Sequence, residues 1–427
     1  LIGNDHNNLN VRGARRFVLN NLATCTFLFS YFITIVLGNL LFETQISRNF
    51  IVDSGYSLIF TFQTIYGAGY WILLLSPFFV VPITVFIVRC SGLSALFRGF
   101  GRLKELKKKE YLISIFICYG YIAYAFMAAD AWILLVDSDN AVAAVEARFL
   151  LRERLGFGPL MVIMSVLPFL SIYCFVRVLR GADRFWFFAN FANFILLSFY
   201  YFLLNMKWPL ILYYCGLLLV LFTYSTKKIY GRLFLAASII VIAFFVISSF
   251  VFRLDGSSSS DANPVSGAIA NIEFLAISSI NRMAIIYPYY FQVEADEDSV
   301  CGGFFEQLKV GPPCRPSTYI YSKIFGFDGF EGRGTAPQPA HITGYVLGGW
   351  PLALVLLLML SFIISVIDSM PLYMGSLGGS LAIYGGLVGY HLSQIPIEGP
   401  FIYDHGILWV LLFLMVFPLL RIFSFRN

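Results

Sequence analysis

Apolar runs about as long as a bilayer is thick recur along this chain, and no other feature limits its fold so strongly. Crossing the hydrocarbon takes about 20 apolar residues in a helix. Runs of that order lie near residues 17–42, 56–88, 111–136, 160–179, 185–204, 208–225, 233–252, 343–366, 373–392 and 405–422. Inside a bilayer no water binds the backbone, so each run must satisfy its own N–H and C=O groups as a helix. The chain is therefore expected to be an all-α polytopic membrane protein with about ten transmembrane helices. Composition agrees, with 59% of the 427 residues hydrophobic and 12% charged, against about 25% charged in soluble domains.

Charge sets the expected orientation. The run 56–88 is long for one helix, and Gly67 and Gly69 mark a candidate break. Counting it as one crossing puts the loop from Arg89 to Glu110, with its GRLKELKKK, on the side of Arg12, Arg15 and Arg16. That side then also receives Arg177, Arg180, Arg184, Lys227, Lys228, Arg232, Arg421 and Arg426, which makes 18 of the 29 Lys and Arg. Short loops rich in Lys and Arg stay in the cytoplasm. Both termini are thus expected to be cytoplasmic. Helices 1–7 occupy residues 1–252, a large outward loop 253–342, and helices 8–10 residues 343–427. The stretch Phe17–Phe42 is too long for a signal h-region and lacks a small-x-small cleavage site, so it is expected to remain as the first span. The basic residues are scattered through short loops, which leaves no nucleic-acid signature.

Five of the seven cysteines, Cys25, Cys90, Cys118, Cys174 and Cys215, fall in or at the ends of spans, where a thiol packs as a small apolar group. Cys301 and Cys314 flank GGFFEQLKVGPP in the long loop. A disulfide between them suits an oxidising exterior, and two unpaired thiols are the alternative.

The outward loops carry the polar chemistry. Val265–Tyr290 is mostly apolar and reads as a helix on or partly in the membrane, with Glu273 and Arg282 inside it. Those two residues are half a turn out of phase and do not pair within one helix. The loop DSDNAVAAVEARFLLRERLGFG places Arg148 and Arg152 on one helical face, where like charges repel unless an anion lies between them. Gly156 and Gly158 follow at a turn. A third loop, QIPIEGPFIYDH, holds Glu398, Asp404 and His405.

Arginine suits diphosphate, because its planar fork donates two hydrogen bonds and stays charged. Arg148, Arg152, Arg154, Arg282, Arg315 and Arg333 are the candidates; the alternative is headgroup anchoring or pairing with Glu146, Glu153 and the acidic EADED run. Arg282 leads, since an ionisable residue within an apolar stretch is functional by default. His341, at the start of a span, is either a general base toward a sugar hydroxyl or a neutral interfacial histidine. His405 and His391 rank below it. Asp137 and Asp139 form a short D-x-D pair of the kind that shares a divalent cation, or else a polar helix start. A phosphate-binding G-x-x-x-x-G-K-[ST] loop, H-E-x-x-H and CxxC are absent. Glycines at spacings of four in Gly375–Gly389 read as helix-packing contacts.

The stretch RGTAPQPAHITGYVLGGWPLALVLL, Arg333–Leu357, resembles the end of the large periplasmic loop in bacterial O-antigen polymerases of the Wzy type. Thr335 and Pro337 match its T-x-P element. Gly344, Tyr345, Gly348, Gly349 and Trp350 match the segment leading into a helix, and Pro351 departs from it. NRMAIIY, Asn281–Tyr287, is similar to the arginine-bearing loop helix these polymerases share with O-antigen ligases. ARFLLRERLGFG, Ala147–Gly158, is similar to their earlier arginine- and glycine-containing loop. The three pieces occur in the same order and cover about a fifth of the chain.

The resemblance implies a membrane glycosyltransferase of GT-C-like type in the bacterial inner membrane. It would use undecaprenyl-diphosphate-linked oligosaccharides with no nucleotide, metal or other cofactor. Membrane lipids are partners, and a polysaccharide co-polymerase that sets chain length is a candidate partner. Arg282, Arg148 and Arg152 would bind the diphosphate, and His341 with Arg282 would be catalytic. Tyr287, Tyr289 and Tyr290 would pack on sugars or lipid tails. The related ligases have a His–Asn pair where this chain has His341–Ile342, which favours polymerase over ligase. The other rivals are a lipid-linked-oligosaccharide flippase, against which the sparsely charged spans and lack of a repeat argue, and a metal-dependent glycosyltransferase using Asp137 and Asp139.

Overall fold

The computed structural model describes residues 9–53, 56, 66–94, 104–129, 150–181, 183–204, 206–224, 277, 280–296, 303, 315–325, 335–370, 375–403 and 406–424. Every element among them is helical. Among the described residues six helices are long and apolar enough to cross a membrane: Leu22–Leu41 (α2), Ala68–Cys90 (α4), Lys108–Ala128 (α5), Phe157–Leu179 (α6), Ala340–Asp368 (α11) and Gly399–Val416, the last continuing as α13, Ile407–Ser424. Three further expected runs form the helices α7 (Arg184–Leu203), α8 (Lys207–Tyr224) and α12 (Ser376–Leu392). At 1.5 Å per residue the 17 residues of α12 reach only about 25 Å. The run 233–252 lies outside the described residues. Shorter helices are α1 (Leu9–Asn20), α3 (Gln45–Asp53), α9 (Ile286–Asp296) and α10 (Pro316–Phe325).

Buried side chains form two cores. The larger is the helix bundle, where α2 packs on α12, and α6 on α7 and α12. The glycines of α12 make the close approach to α2: a Cβ at Gly389 would lie 2.6 Å from the Ala23 carbonyl, and one at Gly386 3.0 Å from Leu22. Thr26 Oγ1 donates to the Gly386 carbonyl at 2.7 Å across this contact. The expected packing role of these glycines is thus met by α2. The second core is smaller and sits at one end of the bundle. It joins the C-terminal half of α2, the start of α4, α9, α10 and the first turns of α11.

Carboxylates fix two helix starts from a distance. Asp368, at the end of α11, accepts from Ala23 N at 2.7 Å, Thr24 N at 3.2 Å and Thr24 Oγ1 at 2.5 Å. It therefore supplies the first turn of α2 with the acceptor its unbonded N–H groups need. Glu105 does the same for α12, accepting from Ser376 N and, at 3.3 Å, Leu377 N. Arg15 completes the reverse case, donating to the last carbonyls of α8, Phe222 at 2.6 Å and Thr223 at 3.0 Å.

The expected breaks are placed by backbone chemistry. α4 begins at Ala68 after an extended Gly67. Pro77 within it removes an N–H, and Ser76 Oγ takes up the Leu73 carbonyl instead, at 2.9 Å. The last long loop was expected to end where a span begins at 343. The helix in fact starts at Ala340 and is broken at Gly348 (φ −167°, ψ 27°) and Gly349 (φ 63°, ψ −157°), just before Pro351. Proline cannot continue a helix through the preceding turn, and only glycine adopts the Gly349 conformation readily. Gly349→Ala is expected to destabilise the protein by about 1–3 kcal/mol, read as a lower melting temperature in detergent, whereas Gly120→Ala in α5, whose Cβ position is open, is not.

Candidate functional site

Two of the sequence-predicted site residues, Arg282 and His341, lie on segments that border the second core. Arg282 lies in a helical turn, residues 280–284, which passes through a turn at Ile285 into α9. The single helix expected to end at Tyr290 is therefore interrupted at Ile285 and runs on to Asp296. Every other face of the Arg282 turn is engaged. Asn281 is buried and its Nδ2 donates to Ser47 Oγ of α3 at 3.1 Å. The Met283 carbonyl accepts from Gln338 Nε2 at 2.9 Å, and that of Ala284 from Asn39 Nδ2 at 3.2 Å. Gly38 of α2 abuts Ala284; a Cβ there would also meet the Ile280 carbonyl at 2.8 Å. Arg282 itself is exposed. It lies close enough to Tyr56 to oppose the burial that pushes that hydroxyl's pKa up.

Beneath this turn is a closed polar network. Asn39 Oδ1 accepts from the Tyr70 hydroxyl, the Asn39 carbonyl from Tyr66 at 3.1 Å, and the Tyr70 carbonyl from Tyr287 at 2.6 Å. Tyr290 donates to the Ala336 carbonyl at 2.8 Å. Tyr287, Tyr289 and Tyr290 are all 0% exposed. They were expected to meet sugars or lipid tails at the surface; instead their rings fill the second core. A tyrosine ring carries enough apolar area to be buried once its hydroxyl is bonded, and the sequence does not show that backbone carbonyls wait for them.

The Thr335–Pro339 run, which carries the T-x-P resemblance, is extended and held on both sides. Ala336 N donates to the Ser317 carbonyl of α10 at 2.9 Å, and Gln338 reaches Met283. Pro339 then accepts from Ile342 N and Thr343 N, which opens α11. His341 follows in the first turn, 0% exposed. Its Nε2 is 3.2 Å from the Tyr31 hydroxyl, and the rings lie 5.7 Å apart. Tyr31 in turn donates to the Leu74 carbonyl at 2.9 Å. A phenol has one proton. With that proton on Leu74, Tyr31 accepts from His341, so the imidazole carries its hydrogen on Nε2. Nδ1 is then left with a lone pair and has no hydrogen-bond partner among the described residues. Gln338 Oε1, also buried, is in the same condition.

Gln338 links the two segments through the Met283 carbonyl, but no hydrogen bond connects the side chains of Arg282 and His341. Arg152 is half-buried in the helical turn 150–155, which ends at Gly156 with φ +74°, so the expected tight turn is present. Arg154, Arg315 and Glu398 are exposed, and His391 is buried in α12. Arg148, Arg333, Asp137, Asp139, Asp404, His405 and the pair Cys301 and Cys314 lie outside the described residues. Tyr31 and Gln338 carry no sequence signal that separates them from the many other tyrosines and loop amides. Comparison with protein-family models, with curated proteins and with solved structures finds no match to this chain.

Proposed function

We propose that this chain is a membrane glycosyltransferase of GT-C-like type, with about ten spans. It polymerises oligosaccharide repeat units carried on undecaprenyl diphosphate, at the periplasmic face of a bacterial inner membrane. The observation that supports it best is the pairing of a buried, Tyr31-oriented His341, whose Nδ1 is a bare acceptor, with a rigidly held turn that displays Arg282. A base oriented by a second group is the arrangement that proton abstraction from a hydroxyl needs. A cation fixed in advance stabilises a leaving diphosphate without reorganising.

In this reading a hydroxyl of the acceptor repeat unit attacks the anomeric carbon of the donor glycan. The new C–O bond forms as the bond to the lipid diphosphate breaks, and the diphosphate leaves with the electron pair. The hydroxyl proton passes to His341 Nδ1. Arg282, with Arg148 and Arg152 contributed by the earlier loop, takes the charge that builds on the leaving group. No metal ion or nucleotide takes part. His341 is closed off from solvent, so the acceptor gains access only when residues 340–347 tilt. The break at Gly348 and Gly349 supplies the hinge.

Arg282→Ala is expected to remove charge-assisted bonds of roughly 1.5–3 kcal/mol, about ten- to a hundredfold in rate. The check is glycan extension on a lipid-linked repeat unit by the purified protein, with Arg282→Lys recovering part of the loss. Wild-type extension by Arg282→Ala ends its role. Loss of wild-type activity on addition of a chelator ends the metal-free mechanism.

A further inference from the structure

Along their length α5 and α7 leave an apolar groove of about 740 Å³ between them, lined by Leu112, Ile113, Phe116, Gly120, Leu196 and Tyr200, among other apolar side chains. Its wall along α5 follows one helical stripe. From Lys109 the steps are three and four to Leu112 and Ile113, then Phe116, Gly120 and Ala123, which places all of them on one face. Phe116 is 81% exposed. The floor is set by Gly120, where a Cβ would meet nothing within 4 Å.

The stripe ends in cations. Lys104, Lys107, Lys108 and Lys109 are all exposed at the start of α5. Lys108 pairs with Asp183 before α7 and lies over the Phe185 ring, so the two helix starts are tied at the groove's rim. Glu105 and Glu110, the acids of this segment, are half-buried and engaged with backbone N–H groups. Glu105 holds the start of α12, and Glu110 accepts from Lys107 N at 2.8 Å. Lys107 and Lys109 have no ion-pair partner among the described residues.

We propose that this groove binds one anionic phospholipid, its acyl chain along Leu112–Ala123 and its phosphate at Lys107 and Lys109. An apolar channel continuous with a basic rim at the end of a membrane-length helix complements that molecule in both halves. Neither half fits a zwitterionic lipid better than the surrounding bilayer does. Basic clusters beside a span attract anionic headgroups. A second copy of the chain fits poorly. Two copies inserted with the same sidedness and related by a two-fold axis would set the same lysines against one another. The site is independent of the polymerase reading and stands or falls apart from it.

The test is native mass spectrometry of the purified full-length chain, mixed with equal amounts of palmitoyl-oleoyl phosphatidylglycerol and phosphatidylcholine. The wild type is expected to retain one phosphatidylglycerol about tenfold over phosphatidylcholine. K107Q/K109Q is expected to erase the preference, and Gly120→Leu to lose the lipid altogether. Gly120→Leu places its side chain in open groove on a helix, so folding is undisturbed. Equal retention of the two lipids by the wild type overturns the proposal, as does unchanged phosphatidylglycerol binding in either variant. A lipid-free dimer that Gly120→Leu dissociates assigns the groove to a second copy and likewise overturns it.

Discussion

His341→Phe is expected to lower glycan extension by about 10²–10⁴-fold, the span that a general base contributes, while leaving the protein folded. The phenylalanine ring keeps the contact with Tyr31, whose centroid is 5.7 Å from that of the imidazole. Tyr31 keeps its bond to the Leu74 carbonyl at 2.9 Å and loses only a donor to its oxygen. The substitution also removes Nδ1, a buried acceptor with no partner among the described residues, whose burial costs about 1–3 kcal/mol. A large kinetic effect with an almost unchanged melting temperature is therefore the signature of a base. A merely structural histidine would give the opposite pattern. Tyr31→Phe leaves the base but frees its tautomer, so a smaller loss of rate is expected there. Extension within about threefold of wild type by His341→Phe, too small a loss for a lost base, removes the imidazole from the mechanism.

Asp368→Ala is expected to have a large effect on stability. It strips the acceptor from Ala23 N, Thr24 N and Thr24 Oγ1 together. Bonds to a charged acceptor contribute roughly 1.5–3 kcal/mol each when measured alone, and loss of an N-cap costs about 0.5–2 kcal/mol. These contributions overlap, so the expected loss is about 2–4 kcal/mol. Asp368→Asn retains one carbonyl oxygen for the same donors and is expected to cost about half as much. The check is heat-induced loss of the monodisperse protein in detergent, with Asp183→Ala, whose ion pair is half-exposed, as the surface control. Equal melting of Asp368→Ala and that control shows that α2 does not depend on the carboxylate.

The membrane character was legible because hydrocarbon imposes length and apolarity together, and few other environments do. The first span, expected at 17–42, is the helix Leu22–Leu41. Its start could not be read from the sequence because its cap comes from Asp368, more than 300 residues away. The same applies to α12, whose start depends on Glu105. The break before Pro351 is consistent with its two glycines, but only the backbone shows that Gly349 takes the conformation glycine alone adopts readily. Tyr287, Tyr289 and Tyr290 misled for a plain reason. An aromatic next to a polar loop is equally suited to a membrane interface and to a buried ring with a bonded hydroxyl, and only the partner decides. The fixed side of the Arg282 turn was invisible for the same cause, since Asn39 and Ser47 reach it from one distant stretch of chain and Gln338 from another.

The second core has a consequence for biogenesis. It draws on residues 31–74 and on residues 284–353, so the ribosome releases its first half well before its second. Until then Asn39 lacks the carbonyl of Ala284, and the backbone oxygen of Tyr70 lacks Tyr287. A nascent chain halted ahead of residue 280 would keep the bonds of Asn39 to the Ile35 carbonyl and to Tyr70, but would lack those that tie α2 and α4 to the far segment. The opening helices α2 to α4 therefore reach their final packing only when the far segment arrives.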